Sequence, residues 1–398
     1  MPWIRREDQE DRELRWLAGW ATQSRAAGGR RLAEAEDPLR TAFQRDRDRI
    51  LHATAFRRLQ HKTQVMAAFE GDHYRSRMTH SLEVAQMARS VARALRGNED
   101  LAEAIALAHD LGHSAFGHAG EAALAEALAA FGGFDHNLQT FRIVTRLERR
   151  YAAFDGLNLT FETLEGLVKH NGPLAGPPPG PIAEHPLAAR LRLDLQPPLE
   201  AQLAAIADDV AYANHDLDDG LRAGFLALDE LAGVPLAGTA LAEVDRTFPG
   251  LEQPRRVHET IRRLIDRMVR DLVEVAGRRL AELAPVGPDG IRGAGAPVVA
   301  FSPEAAAGVA ALRGFLRDRV YRHYKVSRMT LKARRVVREL AEALLAAPDC
   351  LPDGWRGRAG PPGSPATAAT VRDYVAGMTD RFALDEHDRL FRLTRDRA

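Results

Sequence analysis

The stretch Leu101–Leu128, LAEAIALAHDLGHSAFGHAGEAALAEAL, constrains the chain more than any other. Apolar residues recur in it at helical spacing: Leu101, Ile105, Leu107 and Ala108 lead in, and Leu124 and Leu128 lead out. Between them stand His109, Asp110, His113 and His118, four titratable side chains within ten residues. Such groups are seldom buried without partners. A polar cluster set in an apolar helical frame therefore points to an internal site rather than a solvated face. The plain alternative is a helix end carrying a few hydrogen-bonded histidines.

With 398 residues the chain has room for a substantial core, in one large domain or two or three smaller ones. Lys+Arg and Asp+Glu both total 55, so overall charge does not argue for nucleic acid or a membrane surface as the main partner. The single cysteine, Cys350, excludes an internal disulfide framework and fits a reducing compartment. No apolar run approaches the roughly 18 residues of a membrane span. The N-terminus, MPWIRREDQEDRELRW, is dense in charge and lacks an apolar signal core. The expectation is a cytoplasmic protein.

Helical periodicity dominates the remainder. Ile50, Leu51, Ala55, Phe56 and Leu59 recur at helical spacing, with Arg47, Arg49, Arg57 and Arg58 interleaved. That arginine set is either a solvated face or a cationic lining for a phosphate-bearing ligand. RSRMTHSLEVAQMARSVARAL reads as a helix with His80 in its first turn. Phe134–Tyr151 and Phe161–Pro173 read as further helices, the second stopped by Gly172 and Pro173, before the GPPPGP linker at 176–181. In LEAQLAAIADDVAYANHDLDDGLRAGF, Asp208, Tyr212 and Asp216 lie four residues apart and share a face. Residues 252–284, Ala305–Arg335 and a last segment, TVRDYVAGMTDRFALDEHDRLF, complete the pattern. No strand-like alternation of useful length is present, so the fold class is all-α.

His80, His109, Asp110 and Asp208 fall on three separate helical segments. Two imidazoles and two carboxylates form a mixed N/O set suited to a divalent ion such as Mn, Fe, Co, Ni, Zn or Mg, with positions left open for water. This order resembles that of the HD-domain metal-dependent phosphohydrolases. Around it, RILHATAFRRLQHKTQV, RSRMTHSLEVAQMAR, AHDLGHSAFGHAGE, KHNGP, IADDVAYANHDLDDG, VYRH and DYVAGMTDR resemble the deoxynucleoside triphosphate triphosphohydrolases, the dGTPase family. The similarity spans residues 37–390 and is closest to the shorter bacterial subgroup.

The resemblance implies an HD helical core at 37–235, a charged extension at 1–36, and a C-terminal helical region at 236–398 that packs on the core and adds substrate contacts. It implies hydrolysis of a dNTP to deoxynucleoside and inorganic triphosphate, with His80, His109, Asp110 and Asp208 holding the metal. Asp209 competes for the last place; Asp208 is preferred because Tyr212 follows it by four residues. His118 and Glu121 match the catalytic pair, with His113 lining the phosphate channel and His136 nearby. Gln64 would bond the sugar 3′-OH and Val65 would pack where a 2′-OH projects. Arg77 would touch phosphate, Tyr212 stack on deoxyribose, and Asp216 bond the 3′ side, with Arg313 and Tyr321 as later contacts. The resemblance also implies a homo-oligomer, tetramer or hexamer, and a dNTP or single-stranded DNA effector. Other readings are an HD phosphohydrolase of another nucleotide, such as a 5′-nucleotidase or signalling-nucleotide hydrolase, and a nucleic-acid-responsive binding protein with a weak hydrolase site.

Overall fold

Side-chain caps and apolar spacing fix where the helices begin in the structure, a computed structural model that describes residues 3–64 and 74–393. Val65, expected beside the sugar, lies outside the described residues. The principal helices open with α1 Arg6–Trp16, α2 Ala42–Leu51, α3 Thr54–Arg58, α4 Arg77–Ala94, α5 Glu99–Ala108, α6 Gly117–Ala127, α7 His136–Arg142 and α8 Phe161–Val168. They continue with α9 Leu199–Arg222, α10 Ala237–Thr247, α11 Gln253–Leu283, α12 Pro303–Leu316, α13 Tyr324–Ala346, α14 Pro365–Ala376 and α15 Asp380–Phe391. Thr41, Ser76, Asn98, Asp135, Thr160 and Thr379 each accept the amide three residues on, a cap worth about 1 kcal/mol. Among the described residues there is no sheet, only isolated bridges at Arg30–Thr160 and Thr63–Ser76. The all-α reading holds.

α4, α5 and α9 pack on one another, and α2 and α8 close over α5. Their apolar faces supply Val84, Ala88, Leu101, Ile105, Leu203 and Val210, all buried. A second apolar cluster joins Phe116, Leu124 and Leu128 to Val337, Leu340, Leu344, Val371 and Val375. α6 thus leaves the first core and is held by α13 and α14.

Leu101–Leu128 is not one helix. α5 ends at Ala108, residues 109–116 form a turn, and α6 starts after Phe116, whose φ of 60° is left-handed. That conformation costs a non-glycine residue roughly 1–2 kcal/mol. Two features hold it: Phe116 is buried in the second cluster, and its amide donates to Asp380 Oδ1 at 2.8 Å. The other Asp380 oxygen accepts from the Thr63 amide at 2.8 Å and from its hydroxyl. Beside it the buried Lys62 ammonium donates to the carbonyls of His113 and Ala376. The C-terminal helices therefore clamp the turn that carries the histidines.

Three other expected helices are shorter than the periodicity suggested. The Phe134–Tyr151 segment gives α7 and a π-turn at Ile143–Leu147, and then stops. Glu148 leaves the helix to accept the Thr54 and Ala55 amides at the start of α3. Ala305–Arg335 is interrupted by a π-turn at Arg317–Tyr321, which brings the Tyr321 hydroxyl to Asp216. The last segment breaks at Gly377–Thr379, where Thr379 caps α15.

Gly112 lies where α7 crosses the histidine turn. A Cβ there would collide with the His136 carbonyl and the Thr140 amide. Its own amide donates to Thr140 Oγ1 at 2.9 Å, and that hydroxyl donates to the His109 carbonyl at 3.1 Å. Gly112→Ala is expected to lower stability by about 3 kcal/mol or more, since the clash is with backbone that cannot step aside. Urea denaturation of both proteins measures this.

Candidate active site

α4 presents His80 from its first turn, the end of α5 and the following turn present His109 and Asp110, and α9 presents Asp208. His80 Nε2 is 2.8 Å from Asp208 Oδ1. His109 Nε2 lies 3.3 Å from Asp110 Oδ1 and 3.6 Å from Asp208 Oδ1. His109 Nδ1 donates to the Ala106 carbonyl at 2.6 Å, which fixes the tautomer and leaves a lone pair on Nε2. That Nε2 is buried with no hydrogen-bond partner among the described residues. A buried acceptor nitrogen aimed between two carboxylates fits a divalent cation.

The carboxylates are held as anions. Burial pushes the pKa of Asp110 up, but the His109 imidazole and the Arg77 guanidinium outweigh it and keep it well below the usual carboxylate range. Arg77 Nη1 donates to Asp110 Oδ2 at 2.7 Å, so this arginine, expected at phosphate, stands behind a candidate ligand. Burial likewise opposes ionisation of Asp208, and His109 with the hydrogen bonds from His170 and His80 overcomes it. Asp209 faces the other way and pairs with Arg313 at 2.5 Å. The two neighbouring aspartates are thus separated by orientation.

His170 is a residue that spacing alone did not single out. It follows α8, stacks on His109 at 5.1 Å between ring centroids, and its Nε2 approaches Asp208 Oδ2 at 3.4 Å. The signal is the KHNGP motif, which stops a helix and belongs to the family resemblance but carries no role for His170 in the sequence alone. His215, also unassigned, meets His80 Nδ1 through its own Nδ1 at 3.1 Å.

A second imidazole group surrounds Glu121. His118 Nδ1 is 3.2 Å from Glu121 Oε2, and His136 Nδ1 is 2.7 Å from Oε1. His113 stacks on His136 at 3.9 Å and reaches Asp110 Oδ1 through Nε2 at 3.2 Å. Burial disfavours the charged form of Glu121, yet its bonds to His118 and His136 hold the carboxylate pKa far down. Burial and the nearby Arg77 charge keep His113 neutral. In His136 the bond to Glu121 overcomes burial and raises the pKa. His118 alone is exposed, so its far ring edge is open to a ligand.

Farther along α9, Asp209, Tyr212, Arg313, Arg317 and Tyr321 line an open cavity of about 580 Å³. Tyr212 and Tyr321 face each other at 6.4 Å, and the Tyr321 hydroxyl donates to Asp216. Gln64 is buried near Gly117, and its Oε1 has no partner among the described residues.

Asp216 is a buried carboxyl group beside the Tyr321 hydroxyl. Burial pushes its pKa from 3.8 up to about 7, outweighing the Tyr321 hydrogen bond. The folded state binds this proton more tightly than the unfolded chain, so its contribution to stability is greatest below about pH 4 and falls as pH rises toward 7. Asp216→Asn removes the titration. The loss of unfolding free energy between pH 5 and pH 8 should shrink by on the order of 2 kcal/mol, read from urea curves at both pH values.

Comparison with known proteins adds a family to this geometry. Residues 77–213 match the HD domain, and residues 299–389 match the phosphohydrolase-associated domain. A deoxyguanosinetriphosphate triphosphohydrolase-like protein of Mesorhizobium japonicum is 54% identical over 387 residues, covering 95% of this chain and 96% of the relative. One from Parvibaculum lavamentivorans is 52% identical over 387 residues, covering 96% and 98%. The chain belongs to the deoxyguanosinetriphosphate triphosphohydrolase-like family. Family and domain together make it a phosphohydrolase. Its HD match contains His80, His109, Asp110 and Asp208, and its associated-domain match contains Arg313, Tyr321 and Asp380. No helix among the described residues is long and apolar enough to cross a membrane.

Proposed function

We propose that the chain hydrolyses deoxynucleoside triphosphates at the α-phosphorus, with a divalent cation held by His80, His109, Asp110 and Asp208. One observation carries the reading: α9 presents Asp208 to the histidine cluster and, one turn on, presents Tyr212 to a cavity of about 580 Å³. The name of the relatives supports the substrate class. Magnesium, manganese or another transition metal, when bound, supplies Lewis acidity toward a phosphoryl oxygen and offsets anionic charge.

The chain's own residues do the rest. Arg77 fixes Asp110, and the Ala106 carbonyl fixes the His109 ring. Water adds through its oxygen to the α-phosphorus and the bond to O5′ breaks. His118, oriented by Glu121, gives its proton to the departing O5′, and the proton released by the water restores it. Tyr212 offers a face to deoxyribose, and Gln64 Oε1 offers an acceptor to the 3′-OH. The products are a deoxynucleoside and inorganic triphosphate. The same reading carries a tetramer or hexamer and a dNTP or single-stranded DNA effector, checked by light scattering and by rates with each effector added.

Chromatography of products from each of the four dNTPs with Mn²⁺ or Mg²⁺ tests the chemistry. Deoxynucleoside and triphosphate are expected; dNMP and pyrophosphate would reject attack with loss of O5′.

A further inference from the structure

The four interleaved arginines of α2 and α3 separate in the structure. Arg47 pairs with Asp100 at 2.8 Å, Arg49 pairs with Glu34 at 2.9 Å, and Arg57 is exposed. Arg58 is different. It is half-buried, its Nε is fully enclosed without a partner, and among the described residues no carboxylate lies within 4 Å of its guanidinium. It lines a cavity of about 500 Å³ between the first core and the C-terminal helices, whose walls include Ile143, Leu147, Trp355, Tyr374 and Phe382. This cavity shares no lining residue with the one beside Tyr212.

The two acidic side chains on its wall are hydrogen-bonded elsewhere, although the Glu148 charge still reaches Arg58. Glu148 accepts the amides of Thr54 and Ala55 at 3.1 and 2.7 Å. Asp373 accepts from Arg142 at 2.6 Å. The cavity therefore combines three aromatic surfaces with a partly desolvated guanidinium that no carboxylate contacts, burial outweighing the more distant attraction of Glu148. A desolvated charge without a contacting counter-charge is costly, and a planar guanidinium fork matches the oxygens of a carboxylate, sulfonate or phosphate. Aromatic walls around a few hundred cubic ångströms suit a ring-bearing small molecule.

We propose that this cavity is a second ligand site for a small planar organic anion, its acidic group on Arg58 and its ring against Trp355, Tyr374 and Phe382. The place gives the site a consequence. Gly377, Met378 and Thr379 line it, and they join Ala376, which accepts from Lys62, to Asp380, which holds Thr63 and Phe116. An occupant thus touches the segment that clamps the histidine turn.

The test uses the full chain loaded with Mn²⁺ and the dye 8-anilinonaphthalene-1-sulfonate, an aromatic anion with a planar naphthalene ring that a phosphohydrolase does not cleave. Fluorescence titration should show saturable binding of one dye per chain, weakened at least tenfold by Arg58→Gln and by Trp355→Ala and unchanged by Tyr212→Ala. The neutral congener N-phenyl-1-naphthylamine should bind at least tenfold more weakly than the anion. Equal binding by parent, Arg58→Gln and Trp355→Ala overturns the proposal, as does loss of binding in Tyr212→Ala or equal affinity for the neutral dye. Should Arg58→Gln lose its helical circular dichroism, Trp355→Ala decides alone. The readout is binding, so it stands or falls separately from the dNTP chemistry.

Discussion

Asp208→Asn is expected to lower kcat/KM for dNTP hydrolysis about a thousandfold or more, about 4 kcal/mol of transition-state stabilisation. Its carboxylate lies against His80, His109 and His170, and it is the charge that α9 contributes to the cluster. Replacing it with an amide removes that charge while keeping the shape. Asp209→Asn next door breaks the pair with Arg313 and should change kcat/KM by less than about tenfold, because the pair is exposed. Initial rates of both variants with saturating Mn²⁺ check the contrast. A comparable loss in the two would place the essential carboxylate elsewhere.

The second large effect falls on the imidazole group. His118→Asn is expected to lower kcat about 10²–10⁴-fold with KM changed less than about threefold, the range for a lost general acid. His118 meets Glu121 on one side and is open on the other, so its loss removes proton donation without removing a buried contact. Glu121→Gln should lower kcat at least as much, since this one carboxylate holds His118 and His136 and lies 3.7 Å from His113. Its pH–rate profile should shift too, because the three imidazoles lose the anion they face. Steady-state kinetics from pH 5.5 to 9 separates these results. A fall in kcat/KM driven wholly by KM would contradict the proton-transfer role.

The helical class was readable because apolar residues such as Val84, Ala88, Leu203 and Val210 repeat with a period that only a helix satisfies. The convergence of His80, His109, Asp110 and Asp208 was readable from motif order, and the structure brings these four side chains together. The interruptions were not readable. Phe116 carries no glycine-like signal, and its left-handed backbone is held by Asp380, 264 residues away in sequence. Glu148 ends a helix in order to cap α3, and Tyr321 sits in a π-turn that meets Asp216. Each of these depends on a long-range partner, and local pattern does not contain that information. His170 was hidden for a related reason: one histidine after a short helix is ordinary until α9 lies beside it. The two apolar clusters show the same limit, since α6 is near the first core in sequence and inside the second in space.

The proposed chemistry requires side chains from distant segments to enclose a single cation. Titration of the metal-free protein with Mn²⁺, following the free ion by electron paramagnetic resonance, measures it directly. One tight site per chain is predicted, lost in His109→Ala and in Asp208→Asn while Asp209→Asn retains it. Tight binding that survives both of the first two substitutions would contradict a cation held by these residues.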